Sequence, residues 1–434
     1  MKNIKFSVAA LLCCGLTTSA LAGNSLGDAF ANGKVTGELK AYYFSLDVDQ
    51  PSRSFALDAS IFATGIKLGY KTDSFHGIQL GTTFQTNNSP FVDSDAKTQF
   101  GGDMYGPGAV LSEGYLEYNA KKTNVKVGRQ GIGAITPLVR GSRSRIIEES
   151  FEGVMFVNRD ISDTLLTGGH ISKFQARNTY AGGVESSKED STIPTFEKQI
   201  VLSNPLYIIG AVPFDGAYTV GAVNKSVTNT VLVGNYVKVN DVESTANSAI
   251  VKGDIDIYFA EALHTIPMDG YKIGLDAMYV GSKLGSTLNA IDLNGYYYGL
   301  RASLKDLGGI GVQFAYGTTS KDDGVIASIG NGGFVYTGTK IGGPINQIAK
   351  DTDSFVIGLS YNFNNGLKSE IMYGASDHDS TDSKSNSKVL TASYNPPSVK
   401  ALSFELDYET MYQETSSVKT NQRDEMRFKT KYRF

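Results

Sequence analysis

The chain has 434 residues, with 40 Lys and Arg against 44 Asp and Glu, for a formal net charge of −4. That balance is too slight to argue for nucleic acid or any polyionic partner, and no apolar run after residue 22 approaches the roughly 20 residues a membrane-spanning helix needs. The 48 Gly, 24 Tyr and 22 Phe, with no Trp, suit a large closed sheet in which every second residue meets a different solvent, and they leave any interfacial girdle to Tyr and Phe.

The first residues read as an export signal. Lys2 and Lys5 form a basic start, Phe6 to Leu16 an apolar stretch, and Ala20-Leu21-Ala22 a small-residue cleavage site, so residues 1–22 are expected to be removed. A lipoprotein signal would need a small residue before its cysteine, whereas Leu12 precedes Cys13 and Cys13 precedes Cys14. Both cysteines fall inside the signal, so disulfide and thiol chemistry are not expected of the mature chain.

From there on the sequence alternates with a period of two. Val35, Leu39, Ala41 and Tyr43 oppose Thr36, Glu38, Lys40 and Tyr42, and Ile78, Leu80 and Phe84 oppose Gln79, Thr83 and Gln85. The pattern is clearer at Tyr271 to Tyr279, Tyr296 to Leu304, Ile310 to Tyr316, Phe355 to Phe363 and Leu402 to Tyr408. It is weakest at Val125 to Gln130 and at Tyr207 to Val223, where one long strand or two short ones would fit. Tight-turn signals at Lys121-Lys122-Thr123, Lys305 to Gly309, Asn364-Asn365-Gly366 and Asn395-Pro396-Pro397 alternate with long polar stretches at Asn87 to Leu111, Gly131 to Glu152, Phe174 to Leu206 and Lys321 to Asp353. This rhythm predicts an all-β transmembrane antiparallel barrel of about 18 strands, with short periplasmic turns and long extracellular loops, over residues 23–434. A secreted sandwich array or β-helix would instead show a fixed-period repeat, and there is none.

The chain ends on Glu-Met-Arg-Phe-Lys-Thr-Lys-Tyr-Arg-Phe. Met426, Phe428, Tyr432 and Phe434 fall on one face and Arg427, Lys429, Lys431 and Arg433 on the other. Glu405, Asp407 and Glu409 share one face of the preceding strand, so an acidic stripe is expected beside a basic one on the lumen wall. The opposite register would put the basic residues in lipid, at roughly 2–4 kcal/mol for each at mid-bilayer. Cross-strand ion pairs that stabilise the wall account for these stripes more readily than a direct role in selectivity.

Several stretches resemble one family. Val127-Gly128-Arg129, Thr136-Pro137-Leu138-Val139, Ser144-Arg145-Ile146-Ile147-Glu148-Glu149-Ser150-Phe151-Glu152-Gly153, Asp160-Ile161-Ser162 and Ala176-Arg177-Asn178 are similar to the outer membrane porin D (OprD-type) family of bacterial substrate-selective porins, as is the final hairpin from Lys400 to Phe428. The resemblance implies a loop near 131–152 folded inward to narrow the pore, uptake of Phe434 by the barrel-assembly machinery, and location in the outer membrane of a Gram-negative bacterium. It also implies passage of carboxylate-bearing solutes along arginines and lysines, with Arg129, Arg145 and Arg177 as the matching positions. Glu148 stands where that family usually has proline, a departure that bears on the loop's conformation and charge.

The inward loop would bring both signs together, because Arg140, Arg143 and Arg145 are followed by Glu148, Glu149 and Glu152. Arginine's planar fork can hold a carboxylate through two hydrogen bonds. The plainer alternative is a solvated outer loop whose charges pair with each other. Enzyme chemistry has little support: His76, His170, His264 and His378 are dispersed, the glycine-rich run Gly128 to Gly133 lacks the helix that phosphate binding requires, and no Ser-His pair stands out. The sequence therefore reads as a passive diffusion porin, without catalytic residues, cofactor or metal, for small hydrophilic solutes and with a bias toward carboxylates. An outer-membrane surface protein, an adhesin or antigen with a narrow or closed barrel, is the alternative. The surrounding partner is outer-membrane lipid, and both a single barrel and a homotrimer are left open.

Overall fold

The two-residue alternation becomes long strands because each residue pair offers lipid one apolar side chain and the interior one polar or small one. The computed structural model describes residues 25–49, 58–133, 136–203, 209–246, 249–332, 335–340 and 347–434; the export signal lies outside them. The strands in chain order are β1 (Lys34–Asp49), β2 (Ala59–Lys71), β3 (Ile78–Asn87), β4 (Gly108–Ala120), β5 (Thr123–Gln130), β6 (Ser150–Asn158), β7 (Thr164–Gln175), β8 (Gln199–Ser203), β9 (Ile209–Pro213), β10 (Ala217–Asn224) and β11 (Thr230–Ala246). They continue as β12 (Ala249–Met268), β13 (Tyr271–Leu284), β14 (Tyr296–Leu307), β15 (Ile310–Thr319), β16 (Ser328–Ile329), β17 (Thr352–Asn362), β18 (Leu367–His378), β19 (Ser383–Tyr394), β20 (Leu402–Thr415) and β21 (Val418–Arg433). Two short helices, α1 (Leu26–Ala31) and α2 (Ser94–Phe100), accompany them.

Eighteen of these strands form one antiparallel sheet that closes when β21 pairs with β1. At the seam, Gly37 and Phe434 exchange backbone hydrogen bonds of 2.8 and 3.0 Å. A Cβ on Gly37 would come within 2.2 Å of the Phe434 ring, so glycine is what lets the last aromatic lie on the first strand. The remaining strands, β8, β9 and β16, make a separate three-stranded sheet from two of the long loops. The ambiguous Tyr207 to Val223 segment is thereby divided: β9 leaves the wall and β10 belongs to it.

The outer surface is apolar, with Leu300, Phe314, Ile357 and Ile371 among its exposed residues. Aromatic pairs such as Tyr236–Tyr258, Tyr279–Tyr298 and Tyr296–Tyr298 lie toward the loop end, and Tyr361–Phe363 and Phe404–Phe428 toward the turn end, a two-belt arrangement built without tryptophan. Turns follow their chemistry: Gly308 and Gly309, between Leu307 and Ile310, have φ of 58° and 89°, the double positive φ of a two-residue hairpin. Long connections at 88–107, 131–149, 176–216 and 320–351 all lie at the opposite end from these turns. Two other connections at that end, Asp379 to Asp382 and Ser416-Ser417, are as short as the turns.

Candidate pore constriction

Loop 131–149 crosses the lumen, and its contacts show how. It leaves the wall after β5, Leu138 N donates to Asn235 Oδ1 on the inner face of β11 at 3.0 Å, and residues 146–148 then reach β1, β2 and β3 on the other side. Ser150, Phe151 and Glu152 already belong to the wall strand β6. Ile146 can approach β2 because Gly65 has no side chain; a Cβ there would stand 2.5 Å from the Ile146 methyl.

Glu148 fastens the crossing. Its carboxylate accepts from Lys40 Nζ at 2.9 Å and Lys67 Nζ at 2.6 Å, while its backbone N–H donates to Gln85 Oε1 at 2.9 Å and its carbonyl accepts from Gln85 Nε2 at 3.0 Å. Burial pushes the Glu148 carboxyl up, but the two ammonium groups outweigh it and hold the group at about 2. A proline in this place would donate no hydrogen bond to Gln85 and carry no charge for the lysines. Glu148 thus gives the crossing both a paired charge and a backbone anchor where it meets β1 to β3.

Three arginines of the region, Arg129, Arg145 and Arg177, are paired with acids. Arg145 Nε donates to Asp103 Oδ1, and Arg177 Nη1 donates to the same oxygen at 3.1 Å. Burial opposes ionisation of Asp103, yet these two guanidiniums hold its carboxyl well below the usual range. Glu149, fully buried, accepts from Ser142 N at 2.7 Å and from Asn331 Nδ2 at 2.6 Å, and lies 3.8 Å from Arg177 Nε. Loops 88–107, 131–149, 176–216 and 320–351 therefore meet in one polar junction. Arg129 bonds Glu152 at 3.2 Å, an acid it shares with Lys173, and its guanidinium lies over the Phe196 ring at 4.5 Å. Arg140 is half-buried and its backbone N–H donates to Ile329 O at 3.0 Å; burial, with Arg143 nearby, pulls its guanidinium down against the influence of Glu261. Arg143 is exposed and lies against Gly131 and Gly133.

In the last hairpin the register sets Glu405 opposite Lys429 and Asp407 opposite Arg427. Lys429 Nζ donates to Glu405 at 2.7 Å and Asp407 at 3.1 Å, Arg427 donates to Glu425 at 2.6 Å, and Arg433 donates to Glu38 at 2.7 Å. Glu409 accepts from Thr339 at 2.9 Å, and Lys340 reaches Glu405 at 3.0 Å, so residues 339 and 340 of loop 320–351 dock on the acids of β20. Among the described residues, Lys431 has no carboxylate within 4.0 Å; its Nζ sits 5.6 Å from the Tyr42 ring centre.

The sequence reasoning did not single out Lys40, Lys67, Asp103, Glu38 or Lys340. The first, second and fourth carried a signal, since they lie on polar faces of alternating strands. Asp103 and Lys340 sit in loops with no periodicity and carried none. Among the described residues, no group of three His, Cys, Asp or Glu side chains is placed to hold a metal ion.

A closed 18-stranded antiparallel barrel with an aromatic-edged apolar exterior and a charged interior is an outer-membrane barrel built as porins are. Residues 33–192 match the family described as outer membrane porin, OprD family, and the chain resembles that family. Solved structures with the same fold include OccK9 (OpdG) of Pseudomonas aeruginosa, at 15% identity and a TM-score of 0.73 over 94% of this chain and 100% of that one. A BenF-like porin from Pseudomonas fluorescens Pf-5 gives 15% and 0.73 over 94% and 99%, and OccAB2 of Acinetobacter baumannii 16% and 0.72 over 94% and 99%. At these identities the likeness is one of fold. No curated protein matches the sequence.

Proposed function

We propose that the chain is a passive diffusion porin for small hydrophilic solutes that favours those bearing a carboxylate. The observation that carries this reading is the cationic strip of β1, β2 and β21, where, among the described residues, Lys40, Lys67 and Arg433 have only Glu38 and Glu148 as carboxylates within 4.0 Å and Lys431 has none. An excess of fixed positive charge along a wet wall raises the local concentration of anions. Arg129, Arg145 and Arg177 add guanidinium groups in the constriction, each beside an acid, and Phe434 serves recognition by the barrel-assembly machinery. Reconstitution in planar bilayers tests the reading. Stepwise currents with an anion-selective reversal potential, reduced by small carboxylates, are expected; steps that are indifferent to carboxylates would remove the solute preference and leave a general porin.

A surface protein with a closed lumen is the second reading, and one observation favours it. Ile200, Val325 and Ile329 from the long loops are fully buried in one cluster with inner-face residues Val237, Ile257 and Tyr297. Complete absence of stepwise currents from correctly folded protein would decide for it.

A further inference from the structure

Two of the arginines that match the family resemblance already hold a carboxylate. Arg145 Nε and Arg177 Nη1 both donate to Asp103 Oδ1, the second at 3.1 Å. Asp103 belongs neither to the wall nor to the loops that carry the arginines. It stands just past α2, in a turn where Asp103 N and Tyr105 N both donate to Phe100 O, at 2.8 and 2.9 Å.

The delivery of this carboxylate does not depend on its ion pairs. Phe100 and Met104 are buried in one cluster with Tyr42, Phe44 and Ile147. Asn87 Nδ2 donates to Met104 O and Asn178 Nδ2 to Tyr105 O, each at 2.9 Å. Apolar packing and these two amide bonds hold the loop, and Asp103 is what it presents.

The occupancy is also incomplete. A guanidinium binds a carboxylate best through two parallel hydrogen bonds, whereas Asp103 meets each arginine through one donor. Arg177 Nε is buried without a hydrogen bond, its nearest acid being Glu149 at 3.8 Å. The Asp103 side chain is 26% exposed, against 11% and 16% for Arg145 and Arg177, so water reaches the acid more readily than the bases. A carboxylate arriving from the lumen would meet Asp103 first and could offer Arg177 the second bond it lacks.

We propose that Arg145 and Arg177 form a binding site for a small monocarboxylate, and that Asp103 occupies it as an internal stand-in which the solute must displace. The inference rests on the carboxylate-favouring reading above. Exchange of one carboxylate for another keeps the charge of the site constant, so neither state leaves two guanidiniums bare. It makes solute binding weaker than an empty site would allow, which favours release as well as capture in a channel.

The test uses the full-length protein in planar bilayers, with acetate added to a chloride current and the half-blocking concentration measured. Folding is checked by heat-dependent gel mobility. Asp103→Asn should lower that concentration roughly tenfold, the scale of one charge-assisted hydrogen bond. Phe100→Ala, which loosens the loop and leaves the three charged groups in place, should shift it the same way by less, and keeps the comparison available if Asp103→Asn does not fold. Arg177→Gln should abolish the block in both the natural and the Asp103→Asn backgrounds. If acetate blocks the natural channel and Asp103→Asn at the same concentration, Asp103 is a structural partner only and the inference fails while the carboxylate reading stands. If acetate blocks neither, both fail.

Discussion

The two sides of this lumen are built on opposite principles. Along β11 to β14 the inner face carries Val237, Val239, Ile255, Ile257, Val280 and Tyr297, and the long loops cover it with apolar residues of their own. Along β1 to β3 and β20 to β21 the inner face carries Glu38, Lys40, Lys67, Asp407, Arg427 and Lys429, and the loops arrive there with Glu148, Arg145 and Lys340. The same wall geometry therefore serves as an apolar packing surface on one side and as a mixed surface on the other, where charged residues stand beside the buried Tyr42 and Phe44. On the apolar side the inner sheet packs against the wall, and on the charged side ion pairs add to the buried cluster of Tyr42, Phe44, Phe100, Met104 and Ile147 in holding the loops.

That division can be broken from either side. The largest effect is expected from Ile329→Asp, which places an uncompensated charge in the apolar packing at a cost of roughly 3–5 kcal/mol. The inner sheet should leave the lumen while the hydrogen-bonded wall persists, so single-channel conductance should rise with gel mobility of the folded barrel unchanged. An unaltered conductance would show that the apolar side does not hold the loops.

Glu148→Gln addresses the charged side. It removes the acid shared by Lys40 and Lys67, a loss of about 2 kcal/mol for charge-assisted hydrogen bonds, and should raise conductance less than Ile329→Asp while moving the reversal potential further toward anions. Acidification tests the same clamp without mutation. Because the Glu148 carboxyl is held at about 2, below its ordinary 4.5, its contribution is complete above pH 4.5 and is lost as pH falls through about 2. Protease cleavage within loop 131–149 should stay constant from pH 7 to pH 5 and increase only in the approach to pH 2. The smallest effect is expected of Lys431→Met, which removes the cation that lacks a close carboxylate and should shift the reversal potential toward cations by a few millivolts with no change in stability.

The wall was legible in the sequence and its filling was not, for one physical reason. Lipid accepts only apolar side chains, so the outward residues declare themselves at every second position from Tyr296 to Leu304 or from Ile310 to Tyr316. The interior imposes no such rule. Where loops pack on it the inner face is apolar too, and Val237 or Ile257 then look no different from lipid-facing residues. The weak alternation at Val125 to Gln130 has a local cause: β5 is short, Gly128 lies at φ 123°, and a Cβ there would meet Gly114 O at 2.3 Å. At Tyr207 to Val223 a single stretch supplies β9 to the inner sheet and β10 to the wall, so no single period could describe it. In the constriction, Arg145 and Arg177 were legible through family resemblance, but Asp103 was not, because it acquires its partners only when two other loops are in place.

The seam between β1 and β21 governs how the molecule can be made. Glu38 and Arg433, ion-paired across it, are 395 positions apart in the chain, while the other wall pairings join strands that follow one another along the chain, interrupted only by the inner-sheet strands between β7 and β10 and between β15 and β17. A contact of such separation is costly in loop-closure entropy and forms late. Hairpins can accumulate from β2 onward, but every intermediate before the last pairing has two open edges, β1 and β21, each with a row of unpaired backbone groups able to join a neighbouring chain. Closure is thus the step that separates folding from aggregation, and it waits on the final strand.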